Sequence, residues 1–288
     1  MNCYRNFDFK EAGKLIKLAL KEDVGKGDVT SELLIPENSK SDAELLVKEN
    51  GIIAGLEIFK LVFKIIDKNI KIVFSVKEGD EVKIGQVIGK LSGNTRNLLM
   101  GERLGLNLLQ RMSGIATLTG QLTKKLNNKE TKIIDTRKTT PNLRIFEKLA
   151  VKIGGGENHR AGLYDMVLIK DNHIEANGRI LNTLEILKGK KNKANKKIEI
   201  EVKNIDELKK VLSKGKGIID MVMLDNFSSR NIEKAVELND GIFQIEVSGG
   251  INSGNIKNYS KLKGIDFISI GSLTHSVPSL DISLNFVT

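Results

Sequence analysis

The sequence predicts an α/β barrel of about six parallel strands, preceded by a smaller α+β domain, and three observations carry this. Apolar strand-like runs begin near Lys132, Met166, Ile198, Asp220, Phe243 and Asp266, and the last four recur every 22 or 23 residues. That interval, with helix-like segments between the runs, suits a βα unit. The second observation is facing, because alternate strand residues share a side. Lys197, Glu199 and Glu201 oppose Ile198, Ile200 and Val202, while Met221, Met223 and Asp225 share a side, as do Gln244, Glu246 and Ser248. Parallel strands are buried on both faces, so such acids demand compensation within a polar barrel interior. Third, the six runs end in Arg137-Lys138, Lys170-Asp171-Asn172, Glu201, Asp225-Asn226, Ser248-Gly249-Gly250 and Gly271-Ser272. Strand C-termini are where α/β folds keep their ligands. The expected division is a first domain at residues 1–108 and a barrel at 109–275, with 276–288 packing back on the first domain.

Taken in order, Phe7–Leu20 has apolar residues at helical spacing (Leu15, Ile16, Leu18, Ala19) and ends in the glycine-containing loop Glu22–Thr30. Ala43–Val47, Gly51–Ala54, Ile70–Val76, Glu81–Val82 and Gln86–Leu91 read as short strands. Their turns are like those of biotinyl and lipoyl carriers, but no lysine stands at a hairpin tip, so only the strand–turn geometry is shared. Leu98–Leu126 is a long helix in which Leu99, Arg103, Leu106 and Gln110 fall three or four apart. Arg103 therefore shares a face with apolar neighbours, either snorkelling to solvent or reaching a pocket or partner subunit. Small residues at Ser113–Thr117 call for a close helix contact or a tight turn.

The stretch from Ile133 to Lys170 concentrates charge. Pro141 opens a turn after Arg137 and Lys138, Ile145–Ile153 is helical, Gly154–Gly156 is a loop, and His159-Arg160 follows. Taken singly these cations read as solvated loop residues; taken together they require an anion, because unpaired buried charge is costly.

Composition narrows the classes. The chain has 288 residues, 40% hydrophobic and 28% charged, with a formal charge of +10. A nucleic-acid reading fails on detail: the lysines are scattered, the only dense run is a solvated loop at Lys188–Lys197, and aromatics are 5% with no Trp to stack on bases. A single cysteine, Cys3, excludes an intramolecular disulfide and fits a reducing cytosol. The charged N-terminus and the lack of any apolar run of about 18 residues point to a cytoplasmic protein without a membrane span.

At the rim, Ser248-Gly249-Gly250 and Gly271-Ser272 follow strands and precede helix-like segments, the place where backbone N–H groups hold phosphate. Glu201 and Asp225 end adjacent strands; acid–base work, magnesium ligation and electrostatic support all remain open to them. His159 and His275 flank the site.

The runs DTRKTTP, GGGENHRAGL, IKDNHI, EIEV, LDNF, SGGI and ISIGSLTHS resemble, in this order, the quinolinate phosphoribosyltransferase family. EDVGKGDVTSELLIP and ERLGLNLLQRMSGIAT extend the resemblance over nearly the whole chain. It implies an open barrel, a homodimer, and magnesium-dependent reaction of quinolinate with phosphoribosyl pyrophosphate, with no organic cofactor. It further implies that Arg137, Lys138, His159, Arg160 and Lys170 bind quinolinate, that Arg103 reaches in from the other subunit, and that Glu201 and Asp225 sit by ribose and magnesium. Ser248, Gly249, Gly250, Gly271 and His275 would hold the phosphoribosyl phosphate, and Lys138, Glu201 and Asp225 would be catalytic. Asn142 departs from the family's usual glycine, but asparagine tolerates a left-handed turn. The runner-up within enzymes is a relative acting on nicotinate, which has one carboxylate and less need of so many cations.

Overall fold

The computed structural model describes residues 3–190 and 195–287, so part of the Lys188–Lys197 loop lies outside the described residues. Two compact units result: Met1–Gly120 with Thr139–Gly155 and Leu273–Thr288, and Gln121–Lys138 with Gly156–Ser272.

In the first unit, α1 (Phe9–Val24) starts where the Asp8 side chain accepts from Glu11 N, and α2 (Val29–Leu34) where Asp28 accepts from Ser31 N. Both are side-chain caps that satisfy an orphan helix donor. Strands β1 (Lys40–Val47), β2 (Gly51–Ile52), β3 (Lys71–Phe74), β4 (Glu81–Val82) and β5 (Val87–Asn94) follow, with α3 (Leu56–Ile66) inserted after β2. The sequence analysis leaves α3 out. Its run LEIFKLVFKII is apolar through most of its length, which blurs the helical stripe that would mark it. The C-terminal strand β12 (Ile282–Val287) pairs antiparallel with β1, Leu45 opposite Leu284, in a four-stranded sheet ordered β12-β1-β5-β3. Phe59, Phe63, Leu91 and Leu98 fill the core above it.

Helix α4 (Thr95–Leu126) is unbroken across residue 108, so the division expected there falls inside a helix; α5 (Arg144–Ile153) belongs to the first unit as well. Of the two outcomes for Arg103, the structure shows the exposed one, while its neighbour Leu106 is buried in the core. The buried stripe of α4 runs through Leu98, Leu109, Met112 and Ile115, whereas the Arg103 side chain is 61% exposed on the other side, near Glu102. The small residues at 113–117 serve close approach: a Cβ on Gly114 would collide with the Pro278 carbonyl oxygen. Gly114→Ala should therefore destabilise the protein by about 1–3 kcal/mol in denaturant unfolding, and an unchanged midpoint would show that the 278 segment yields freely.

The second unit is built on a six-stranded parallel sheet ordered β6-β11-β10-β9-β8-β7. Its strands are β6 (Lys132–Ile134), β7 (Val167–Ile169), β8 (Ile198–Val202), β9 (Met221–Asp225), β10 (Gln244–Ser248) and β11 (Phe267–Ser269). This is sequence order with a break between β6 and β7, hence an open barrel. The break is lined on one side by Glu157, which makes a parallel bridge to Ile134. Helices α6 (Asp171–Ala176), α7 (Ile180–Lys188), α8 (Ile205–Lys214) and α9 (Ser229–Asn239) lie between strands β7 and β10. After β10 only a 3-10 turn forms (Ile256–Tyr259), and after β11 the four-residue α10 (Ser272–His275). Helix-dipole support for phosphate at these two turns is correspondingly short.

Candidate active site

Strand register aligns the rim. Asp225 stands opposite Ser248, and Glu201 opposite Met223, which in turn opposes Glu246. The β10 turn is set by two left-handed glycines, Gly249 (φ 103) and Gly250 (φ 59). A Cβ on Gly249 would collide with the Asn226 side-chain amide, so only glycine lets the β9 and β10 ends approach this closely. Asn226 completes the join: its N–H donates to the Ser248 carbonyl at 2.9 Å and its amide to Asp225 Oδ2 at 2.8 Å.

Burial and the Asp225 charge raise the Glu201 carboxyl, with Lys170 pulling the other way. Two adjacent carboxylates repelling one another beside a lysine form an oxygen donor set of the kind magnesium prefers. On the cation side, burial and the neighbouring Arg137 lower the Arg160 pKa. The charges of Glu199 and Asp165 oppose that lowering. Asn142 adopts the left-handed conformation its residue type allows (φ 65).

The other predicted residues stand as follows. Lys138 N–H donates to Thr136 Oγ1, and Lys170 caps α6. Ser248 is half-buried at the end of β10, and Gly271 precedes α10. His275 and Arg103 fall in the first unit; the His275 Nδ1 lies 2.6 Å from Ser276 Oγ.

Three residues that the sequence analysis did not assign to the site contact the 158–159 segment. Asp135, fully buried at the end of β6, accepts from His159 N at 2.9 Å and from Asn158 Nδ2 at 2.6 Å. Glu199 and Glu246, both fully buried, approach His159 Nε2 at 2.9 and 3.4 Å. The imidazole compensates these acids in part: Glu199 Oε2 is hydrogen-bonded to it, while Glu199 Oε1 and both Glu246 oxygens have no hydrogen-bond partner among the described residues. The signal was present in the alternation of Glu199 with Ile198 and Ile200, but nothing local names a partner 40 residues away.

Burial lowers the imidazole of His159, and the hydrogen bonds and charges of Glu199 and Glu246 more than reverse this, to about 9. Burial, with the Glu246 charge, raises Glu199 to about 7. The Arg160 N–H lies 2.8 Å from His159 Nδ1, so in the neutral ring the proton sits on Nε2, facing Glu199. Both shifts are upward, so the folded state binds protons more tightly than the unfolded chain. The stability this adds is full at low pH; it is lost from about 4.5 to about 7 for the acid and from about 6.5 to about 9 for the imidazole. Thermal midpoints should accordingly fall more between pH 6 and 9 in the wild type than in Glu199→Gln. Parallel slopes would remove the cluster as a titrating element.

The 157–166 segment also walls a cavity of about 380 Å³, lined by His159, Arg160, Met166, Lys197, Met221 and Phe267. Its lining runs from the starts of β9 and β11, at Met221 and Phe267, to the last residue of β6, Ile134.

An open barrel with acids, cations and glycine turns along one rim defines an enzyme for anionic substrates. Residues 28–113 match the N-terminal domain of quinolinate phosphoribosyl transferase and residues 115–285 its C-terminal domain. The chain belongs to this family. A Nicotiana tabacum protein named quinolinate phosphoribosyltransferase [decarboxylating] 2b, mitochondrial, is 42% identical over 301 residues, covering 99% of this chain and 84% of its own. NadC from Streptococcus pyogenes superposes with a TM-score of 0.91 at 37% identity, covering 98% of this chain and 99% of that one. The nicotinate-nucleotide pyrophosphorylase from Francisella tularensis gives a TM-score of 0.87 at 39% identity, with 96% of each chain covered.

Proposed function

We propose that the rim of the barrel holds quinolinate against phosphoribosyl pyrophosphate, with the cations on the diacid and the two acids on the ribose. The transfer itself goes with the family: quinolinate and phosphoribosyl pyrophosphate give nicotinate mononucleotide, pyrophosphate and carbon dioxide, a step of de novo NAD biosynthesis. The observation that supports the division of labour is register: Glu201 and Asp225 stand at the ends of neighbouring strands, with Asp225 opposite Ser248 before the Gly249–Gly250 turn.

Arg137, Lys138, Arg160 and Lys170 bind the substrate carboxylates, arginine in the charge-assisted geometry that fixes orientation. As pyrophosphate leaves, positive charge develops at ribose C1′, and the carboxylates of Glu201 and Asp225 stabilise it. The pyridine nitrogen bonds to C1′, which makes the ring cationic. The C2–carboxylate bond then breaks, its electron pair stays at C2 beside the charged nitrogen, and a proton replaces carbon dioxide there. Backbone N–H groups at Gly249–Gly250 and Gly271 hold the 5′-phosphate, with Ser248 as a further partner. Magnesium would be held by Glu201 and Asp225 and would neutralise pyrophosphate charge. The single cysteine, Cys3, suits a reducing compartment such as the cytosol.

Exposure of Arg103 supports a role across a homodimer interface. Mixing Arg103→Ala with Lys138→Ala subunits should restore activity above that of either variant alone, since each mixed dimer rebuilds one intact site. No gain on mixing would place Arg103 outside the partner's site.

A further inference from the structure

The loop from β9 to α9 is three residues long: Asn226, Phe227 and Ser228. Phe227 is buried, and Ser228 caps α9, its hydroxyl accepting from Asn231 N at 3.3 Å. Asn226 is the residue left at the rim. Its backbone is left-handed (φ 55), which asparagine tolerates and glycine adopts more readily still. The turn alone therefore does not call for asparagine. What the side chain adds is a contact: Nδ2 donates to Asp225 Oδ2 at 2.8 Å, while the main-chain N–H donates to the Ser248 carbonyl at 2.9 Å. The same amide lies against Gly249, where any Cβ would strike it. Asp225, Asn226 and the start of the Gly249–Gly250 turn are thus one connected piece of the rim.

The contact meets a need of Asp225. Rotation about the last bond of an aspartate is broad, so the carboxylate has no sharp orientation of its own. Glu201 stands on the neighbouring strand, and the charges of the two acids oppose each other. Unrestrained, the Asp225 carboxylate would turn away from Glu201 towards solvent. A donor on Oδ2 fixes its plane and leaves Oδ1 without a hydrogen-bond partner among the described residues. We propose that Asn226 is a positioning residue for Asp225: it holds one carboxylate oxygen and ties it to the turn after β10, so that the other oxygen meets the ribosyl group. This rests on the reading that Asp225 acts on the transition state at the rim. Misplacing a catalytic group by about 1 Å costs up to about a hundredfold in rate, which sets the scale of what the amide protects. Because Asn226 works through Asp225, its loss matters only while Asp225 keeps its charge.

The test is a double-variant cycle of Asn226→Gly with Asp225→Asn, read by steady-state kinetics in excess magnesium. Glycine keeps the left-handed turn and removes only the amide. Asn226→Gly should lower kcat by about tenfold or more, with the quinolinate dissociation constant within about twofold of wild type. Asn226→Asp tolerates the same turn, lacks the donor and should lose at least as much. Added to Asp225→Asn, Asn226→Gly should cost less than about twofold further, because the charge it positions is already gone. Independent losses, each multiplying the other, would make Asn226 a loop residue and overturn the proposal. So would an unchanged kcat in Asn226→Gly. A loss confined to the KM for phosphoribosyl pyrophosphate would make the amide a direct ligand, which also overturns it. Asp225→Asn with an unchanged kcat refutes the underlying reading, and the proposal falls with it; that arm of the cycle tells the two failures apart.

Discussion

Arg160→Ala is expected to raise the quinolinate dissociation constant by at least about tenfold. Burial and the Arg137 charge lower the Arg160 pKa, with Glu199 and Asp165 opposing, and a bound carboxylate would add to their pull. Removing a cation that pairs with a desolvated carboxylate costs about 2–5 kcal/mol. Asp225→Asn should behave in the opposite way. It keeps the shape and the Asn226 contact but removes charge from the rim, so its loss should fall on kcat with quinolinate binding retained. Direct titration of quinolinate against both variants separates the two effects. Asp225→Asn that abolishes binding, with Arg160→Ala that leaves it intact, would reverse the assignment.

Glu147→Ala should cost about 3 kcal/mol of stability or somewhat more, at the lower end of what breaking a buried ion pair costs. Glu147 is fully buried; its Oε1 accepts from Arg111 Nη2 at 2.9 Å and Nε at 3.1 Å, and its Oε2 accepts the Thr140 N–H at 3.1 Å. Arg111 also donates to the carbonyls of Thr274 and Val277. One pair therefore links α4, α5 and the segment leading to β12. Truncation leaves a guanidinium in a largely enclosed site with its charge uncompensated, although the two carbonyls soften the loss. Denaturant unfolding measures it, and the double variant Arg111→Met/Glu147→Leu should recover part of it, because both charges are gone. A single variant within about 0.5 kcal/mol of wild type would show that water compensates the arginine.

What could be read in the sequence had a local cause. Strand ends near Lys170, Glu201, Asp225 and Ser248 were legible because the apolar runs are short and followed by polar residues. The left-handed turn at Asn142 was legible from its residue type. Arg103 was legible only in part, because its neighbour Leu106 packs in the core with Leu98 and Leu109 while Arg103 itself stands exposed. The membership of α5 in the first unit depends on Glu147 meeting Arg111, 36 residues earlier, and no periodicity encodes that. The contacts of His159 with Glu199 and Glu246 were likewise hidden, because two distant strands supply the acids.

The most direct test of the account is a single incubation of the purified chain with phosphoribosyl pyrophosphate, magnesium and equal concentrations of quinolinate and nicotinate. A rim built to hold two carboxylates should consume quinolinate in strong preference, releasing one carbon dioxide for each nicotinate mononucleotide formed. Nicotinate consumed as fast as quinolinate, or nucleotide formed without carbon dioxide, would contradict it.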